Sequence, residues 1–199
     1  MADRLRAEYA PDAYVEVFEN HRELEAHSKI LQLLDVDHNG NLSDEERRHA
    51  RIIVYGHSWG ASETVELARQ LEQDSIPVLL TIQVDSIVKR KEDDAWIPAN
   101  VAEAVNFYQS DSVLHGRTQI LAADPQRTKI LGNFRFDYKT GPVSCPYDYR
   151  WLVRHFAKTH AEIECDPSVW DQVESLIRSK LPPARAAAPV AFTKQPIGN

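Results

Sequence analysis

The sequence is poor in cysteine, has no long apolar run and carries no excess of positive charge. Its 199 residues include two cysteines, Cys145 and Cys165, which are too few for a disulfide-rich scaffold. Whether they pair cannot be read from their spacing. No apolar stretch approaches the length of about 20 residues that a membrane-spanning helix needs. The formal net charge of -7 offers no basic surface for nucleic acid or anionic lipid.

The N-terminus also lacks the apolar core of a signal peptide, since residues 1–6 are charged throughout. A cytoplasmic location is therefore expected. Hydrophobic residues make up 43% of the chain and charged residues 27%, as in ordinary soluble domains. We expect one domain over residues 1–181. Residues 182–199 are rich in proline and alanine without periodicity, which predicts a flexible tail.

Hydrophobic periodicity predicts an α/β fold with a mostly parallel sheet and flanking helices. Residues 14–18 alternate as a strand does, and residues 52–55 and 76–84 form the apolar runs of buried strands. Helical spacing predicts helices over residues 20–34, 45–51 and 61–73. In the first of these Asn20 is the expected cap, and Leu24 shares a face with Ile30.

The second half of the chain gives a less regular pattern. Residues 100–108 and 149–157 are expected to be helical, and residues 128–138 extended. A longer helix is predicted from Pro167 to Lys180, because Pro167 suits a first turn after Asp166 and an apolar stripe follows.

Residues 35–46 have the complete spacing of a twelve-residue EF-hand calcium loop. Calcium takes six to eight oxygen ligands, which such a loop supplies from positions 1, 3, 5, 7, 9 and 12, with glycine at position 6. Gly40 stands at that sixth position, where positive φ is needed. The predicted Ca²⁺ ligands are Asp35, Asp37, Asn39, the Asn41 carbonyl, Ser43 through water, and Glu46. The alternative interpretation is a solvated turn that caps a helix.

A second motif, Gly56-His57-Ser58-Trp59-Gly60, follows an apolar strand and opens a helix. This is the setting that a nucleophile elbow requires. Gly56 and Gly60 are expected to leave room where a Cβ would clash. Ser58 would then stand exposed above the sheet, and the Trp59 backbone N–H at the helix N-terminus would stabilise an oxyanion.

A nucleophilic serine needs a base and an orienting acid. Asp85 ends the predicted strand 76–84, where catalytic groups collect in open α/β sheets, and is the preferred acid. His160 is the preferred base, because it lies in a non-periodic stretch expected to form a loop above the sheet. The weaker candidates are Asp124 and Asp137 for the acid, and His155 and His115 for the base. His57 adjoins the serine but is expected to point away from it.

These residues resemble the lipase- and thioesterase-like branch of the α/β-hydrolases over residues 14–177. The resemblance is carried by residues 55–61, Val84-Asp85-Ser86, residues 98–101 and 106–109, His160 and residues 166–170. It implies a triad of Ser58, Asp85 and His160. The family has more strands before its elbow, and one of their loops supplies a second oxyanion N–H. Here either the chain is a shortened form, or strand 14–18 pairs beside strand 52–55.

The sequence therefore predicts a calcium-binding serine hydrolase that acts on small-molecule esters or thioesters, with calcium in a structural role. A catalytically silent calcium-binding protein on the same scaffold is the alternative, and a calcium sensor that binds a partner is a third hypothesis. Four aromatic residues are candidates for an acyl pocket or for the core: Trp59, Trp96, Phe107 and Tyr108.

Overall fold

The structure is a computed structural model that describes residues 1–87, 93–145 and 156–182. Six helices and six strands are assigned in these ranges. The helices are α1 (Ala2–Tyr9), α2 (Glu23–Leu34), α3 (Asp44–Arg48), α4 (Trp59–Gln73), α5 (Lys158–Cys165) and α6 (Pro167–Lys180). The strands are β1 (Ile53–His57), β2 (Val78–Val84), β3 (Trp96–Ile97), β4 (Val101–Tyr108), β5 (Leu121–Ala122) and β6 (Lys129–Arg135).

The main sheet has four parallel strands in the order β1-β2-β4-β6, so the order in space follows the order in the chain. Strand β2 lies inside the sheet and is buried along almost its whole length, as its continuous apolar sequence predicts. Strands β3 and β5 form a separate two-stranded parallel sheet. The predicted α/β architecture with a mostly parallel sheet and flanking helices is confirmed.

Helices cover both faces of the main sheet. On one face, α4 buries Val65, Ala68 and Leu71 against the strands, and α2 packs against α4. On the other face, α1 and α6 contribute Leu5, Tyr9, Val169, Val173 and Ile177 to a core that includes Phe107 of β4. Two apolar layers therefore hold the carboxyl ends of the strands in fixed positions.

Two segments have a different secondary structure from the one predicted. Residues 101–108, expected to be helical, form the strand β4, which pairs with β2 on one side and β6 on the other. Its apolar residues allow either structure, and pairing with both neighbours decides for the strand. Residues 14–18, expected to be a strand, form no strand and do not pair beside β1.

Other predictions are confirmed within a few residues or are corrected in detail. Helix α6 begins as predicted, with the Asp166 carboxylate accepting from the Ser168 N–H at 2.8 Å and Pro167 in the first turn. Helix α2 begins after Arg22 rather than Asn20, and Leu24 is 68% exposed instead of facing the core. Most of the predicted helix 149–157 and nearly all of the predicted tail 182–199 lie outside the described residues.

Cys145 and Cys165 form a disulfide, which joins the C-terminal end of α5 to the segment after β6. Within the described ranges, no helix combines the length and the apolar character needed to cross a membrane.

Candidate functional site

Ser58 lies in a sharp turn between β1 and α4. Its φ of 58° and ψ of -127° are unusual for a residue other than glycine, so this turn is strained. Gly56 makes the turn possible, because a Cβ on it would lie 2.2 Å from the Gly60 carbonyl oxygen. The prediction for Gly60 is wrong, since a Cβ built there meets nothing within 4 Å. Of these two positions, the close contact therefore requires glycine at position 56 and not at position 60.

The structure brings Ser58, His160 and Asp85 together in one hydrogen-bonded chain. The distance from Ser58 Oγ to His160 Nε2 is 2.9 Å, and that from His160 Nδ1 to Asp85 Oδ2 is 2.5 Å. A carboxylate accepts hydrogen bonds, so the Nδ1–H of His160 donates to Asp85. In that tautomer Nε2 carries a lone pair towards Ser58, which is the arrangement needed to accept the hydroxyl proton.

Asp85 follows the end of β2, is fully buried and has a φ of 45°. Its Oδ1 accepts the backbone N–H groups of Gln109 at 3.1 Å and Gly116 at 2.8 Å. Its Oδ2 accepts the Gln109 side-chain amide at 2.8 Å besides the His160 ring. Four donors therefore surround the buried carboxylate and fix its orientation.

Gln109 is itself held in place, which makes this support rigid. Its side-chain oxygen accepts the Thr159 hydroxyl at 2.6 Å and the Asp111 N–H at 2.9 Å. Gly116 approaches so closely that an added Cβ would lie 2.4 Å from Asp85 Oδ1 and 2.5 Å from the Asp85 backbone. Neither Gln109 nor Gly116 was predicted from the sequence to have a role. The available signal for Gln109 was its position directly after the end of a strand, where polar groups gather in parallel sheets.

His160 lies in the first turn of α5 and is buried, so the expectation that it sits on a loop is wrong. The ring of His57 stacks on the His160 ring, with centroids 4.8 Å apart and planes inclined by 26°. Burial and the neighbouring His160 lower the pKa of His57 to about 4, so this ring is neutral near pH 7. His57 therefore packs its ring face against His160, a contact that was not predicted from the sequence.

The weaker candidates lie elsewhere. Asp124 and Asp137 each accept a backbone N–H two residues further along the chain, as turn carboxylates do. The ring of His115 is 3.0 Å from the Gly116 carbonyl oxygen. His155 lies outside the described residues.

Trp59 is the first residue of α4, so its N–H is among those that a helix leaves without an intrahelical acceptor. The positive end of the helix dipole lies at the same point, directly after Ser58. Trp59 is 53% exposed and lines a groove that also reaches Ser58. Of the other aromatic candidates for an acyl pocket, Phe107 belongs to the core, whereas Trp96 and Tyr108 do not line this groove.

The loop 35–46 gathers carboxylates as its spacing predicts. One oxygen from each of Asp35, Asp37 and Glu46 lies within 4.8 Å of the others. Ca²⁺ ligands lie about 2.3–2.6 Å from the ion, so ligands on opposite sides are at most about 5 Å apart and this spacing fits the ion. Gly40 has a φ of 81°, which confirms the positive φ expected at this turn.

The other predicted ligands stabilise the loop through hydrogen bonds. The side-chain oxygen of Asn39 accepts the Asn41 N–H at 2.8 Å, and Ser43 caps α3 in a reciprocal contact with Glu46. The pKa of Glu46 is lowered, chiefly because its carboxylate accepts a hydrogen bond from the Ser43 backbone N–H. This lowered pKa keeps the carboxylate ionised. Helix α3 then ends at Arg48, and β1 begins at Ile53, so the loop leads directly to the strand before Ser58.

Comparisons with protein-family models, with curated proteins and with solved structures found no match to this chain.

Proposed function

We propose that the protein is a serine hydrolase that cleaves ester or thioester bonds and that calcium stabilises. The observation that carries this proposal is the hydrogen-bonded chain from Ser58 through His160 to Asp85 at the carboxyl end of the parallel sheet. The strained backbone at Ser58, between a strand and a helix, supports an α/β-hydrolase-like arrangement around a nucleophile elbow.

The proposed reaction begins when Ser58 Oγ attacks the acyl carbonyl and His160 Nε2 takes the hydroxyl proton. Asp85 orients the ring and stabilises the imidazolium that forms. His160 then gives the proton to the departing alcohol or thiol, which leaves an acyl group on Ser58. Water attacks this acyl-enzyme with His160 again as the base, the carboxylic acid departs, and the serine is restored.

Charge on the carbonyl oxygen develops next to the N-terminus of α4. The Trp59 N–H is the proposed donor to this oxyanion, assisted by the dipole of the 15-residue helix. Removal of one oxyanion donor typically costs about 2.7–4 kcal/mol of transition-state stabilisation. The Trp59 N–H is therefore expected to contribute a large part of the proposed rate enhancement.

Calcium is proposed to bind the loop 35–46 in the manner of an EF-hand. The carboxylates of Asp35, Asp37 and Glu46 would hold the ion, together with oxygens of Asn39, Asn41 and Ser43. Bound Ca²⁺ supplies charge neutralisation for this acidic loop. The short connection from α3 to β1 makes its role structural, because an ordered loop restrains the start of the strand that ends next to Ser58.

A fluorophosphonate probe tests the proposed nucleophile directly. We expect covalent labelling of the wild-type chain, loss of labelling in Ser58→Ala and retained labelling in Ser28→Ala, a change at an exposed helical serine. Hydrolysis of p-nitrophenyl esters of increasing acyl length, with and without calcium, then defines the acyl preference. A folded protein that the probe does not label would contradict the hydrolase and support the silent calcium-binding scaffold.

A further inference from the structure

Strand β1 lies at the edge of the main sheet. It pairs with β2 on one side, and on its other side it pairs with no strand of the described residues. Edge strands are usually protected by charge, proline or a covering element. Here the strand presents Ile53, Val54 and Tyr55 without charge or proline. Residues 12–18 and helix α2 lie beside this edge, but among the described residues no backbone hydrogen bond joins them to β1. A gap therefore runs along the strand that leads to Ser58.

The register shows which backbone groups face this open edge. Ser58 N–H donates to the Val84 carbonyl at 3.0 Å, and the Ile52 carbonyl accepts from Leu79 at 2.8 Å, so the even-numbered residues face β2. Hydrogen-bonding directions alternate along a strand. The N–H and C=O groups of Ile53, Tyr55 and His57 consequently point away from β2, towards the open edge.

Two adjoining cavities follow this edge. The first has a volume of about 410 Å³ and reaches Ser58 and Trp59 at one end, and the second has about 450 Å³. Both are lined by Ile53, Val54 and Tyr55, so they form one edge groove along β1. An acyl chain in this groove would leave the backbone groups without partners, at a cost for each buried group. An extended polypeptide would satisfy them.

The part of the groove next to Ser58 is acidic. Glu16, Glu19 and Glu23 line it, and its described lining contains no lysine or arginine. One carboxylate oxygen of Glu23, Oε2, is buried without a hydrogen-bond partner among the described residues. A buried carboxylate oxygen is stabilised by a cationic donor. The chemistry of this part of the groove therefore favours lysine or arginine side chains.

We propose that the edge groove binds an extended basic polypeptide segment that adds a strand to β1 and places a cationic side chain against Glu23. Backbone hydrogen bonds to Ile53, Tyr55 and His57 provide affinity, and the glutamates provide specificity. This inference rests on the proposed hydrolase, for which it names the substrate class. The scissile ester or thioester is carried on a polypeptide whose basic segment occupies the groove beside Ser58.

Peptide binding to the inactive Ser58→Ala chain tests the groove without relying on catalysis. The probes are a short fluorescent peptide of alternating valine and lysine and a matched peptide with glutamate in place of lysine. We expect the lysine peptide to bind and the glutamate peptide to bind at least about tenfold more weakly, measured by fluorescence anisotropy at fixed ionic strength. Equal binding of the two peptides would overturn the charge argument.

Backbone pairing is tested with the same lysine peptide after N-methylation at alternate residues. Methylation of the set that faces β1 is expected to abolish binding, and methylation of the other set to leave it largely intact. If neither set affects binding, strand addition is wrong.

On the protein side, Glu23→Gln is expected to weaken lysine-peptide binding about tenfold. The control Glu25→Gln, which changes an exposed carboxylate paired with Arg22 outside the groove, is expected to leave it unchanged. Equal effects of the two changes would overturn the role of Glu23, and unchanged thermal unfolding shows that both variants fold.

Other occupants give different results and each would overturn the proposal. Binding of dodecanoate, with no binding of either peptide, would identify the groove as an acyl site. Concentration-dependent dimerisation that blocks the peptide would identify a second copy as the occupant. The outcome also separates the two proposals: fluorophosphonate labelling without peptide binding overturns only the substrate class, and peptide binding without labelling overturns only the hydrolase.

Discussion

At the residue scale, the space around single atoms decides whether the turn at Ser58 can form. Gly56 has the Gly60 carbonyl oxygen directly against the position of its absent Cβ, whereas Gly60 has open space at the corresponding position. The two glycines of one motif therefore have different physical roles, and substitution separates them.

We predict that Gly56→Ala prevents the turn, because the methyl group would lie 2.2 Å from a backbone oxygen that cannot move without displacing the start of α4. The melting temperature should fall strongly, or the cooperative unfolding transition should be absent. Probe labelling of Ser58 should be lost or strongly reduced. The matched change Gly60→Ala should instead stabilise the chain by about 0.5–1 kcal/mol, since alanine is favoured over glycine within a helix. Equal loss of stability in both variants would contradict this assignment.

A second prediction concerns the stability of the chain in mild acid. Burial and the adjacent His160 lower the pKa of His57 to about 4, whereas a histidine in the unfolded chain titrates near 6.5. Between these values the unfolded state binds a proton that the native state does not, so the free energy of unfolding falls as the pH decreases from about 6.5 to about 4. Above about pH 6.5, His57 is neutral in both states and no longer lowers the free energy of unfolding.

His57→Phe keeps an aromatic ring at the stack and removes this titration. Urea unfolding at pH 7 and pH 5 should show a smaller difference for His57→Phe than for the wild type, by up to roughly 2 kcal/mol at 1.4 kcal/mol per pH unit. His49→Phe, at an exposed histidine, serves as the control and should keep the wild-type difference. An unchanged pH dependence in His57→Phe would show that another group causes the decrease in the free energy of unfolding at acid pH.

The three residues proposed as nucleophile, acid and base were all named from the sequence, but for reasons of different quality. Ser58 stands in a motif and Asp85 follows a predicted strand, whereas His160 was preferred for a loop position and lies in a helix instead. Their supporting contacts were not identified. Gln109 and Gly116 reach Asp85 across 24 and 31 residues of chain, and spacing in one sequence contains no information about such contacts. The stacking of His57 on His160 depends in the same way on two elements packing together.

At the scale of elements, helix α5 is held by the burial of its residues 159–163 and by one covalent bond. It is eight residues long, carries His160 near its start and ends at Cys165, whose disulfide joins it to Cys145. Helices of this length are not stable alone, so tertiary restraints hold the proposed base in position.

We predict that the double change Cys145→Ser and Cys165→Ser lowers the free energy of unfolding by about 3 kcal/mol, the usual effect of opening a loop of roughly 15–20 residues. Ester hydrolysis should fall more than global stability explains, because α5 positions the imidazole. Reduction of the wild-type chain should reproduce both effects, and it should leave the double variant unchanged. A double variant with wild-type activity would show that packing alone positions His160.

Helices and strands were predicted correctly where the hydrophobic pattern of a segment fitted only one kind of secondary structure. Helices α4 and α6 and strand β2 have such patterns, and the structure contains them within a few residues of the predicted bounds. Strand β4 was mistaken for a helix because its sequence, Val-Ala-Glu-Ala-Val-Asn-Phe-Tyr, contains good helix formers and pairs on both sides only in the folded sheet. Residues 14–18 alternate like a strand but lie along the groove without pairing.

At the scale of the whole molecule, the acidic loop and the proposed hydrolytic site are joined through short connections. The loop leads through α3 into β1, and His27 of α2 contacts Asp74 at the end of α4 at 2.6 Å. We therefore expect a change in the order of the loop to affect both elements that flank Ser58.

We predict that calcium raises the melting temperature and that chelation lowers melting temperature and hydrolysis together. A ligand at one hundred times its dissociation constant stabilises the native state by about 2.7 kcal/mol. Asp37→Asn should lose most of the calcium-dependent shift, whereas Asp44→Asn, at an exposed carboxylate outside the predicted ligand set, should keep it. Equal melting curves with calcium and with chelator would contradict calcium binding by the loop.

The disulfide also bears on the expected cytoplasmic location, which stays a prediction. Disulfides persist mainly in oxidising compartments. Thiol labelling of the denatured chain, taken directly from cells, would show whether Cys145 and Cys165 are paired there.

The agreement between strand order and chain order has a consequence for synthesis on the ribosome. The sheet can grow by one strand at a time as the nascent chain emerges, with the serine turn and the aspartate among the earlier parts to be placed. The imidazole arrives only with α5, after all four strands of the main sheet. A nascent chain without α5 thus exposes a hydroxyl that has no base, so the proposed acyl transfer can start only after α5 has been made and packed.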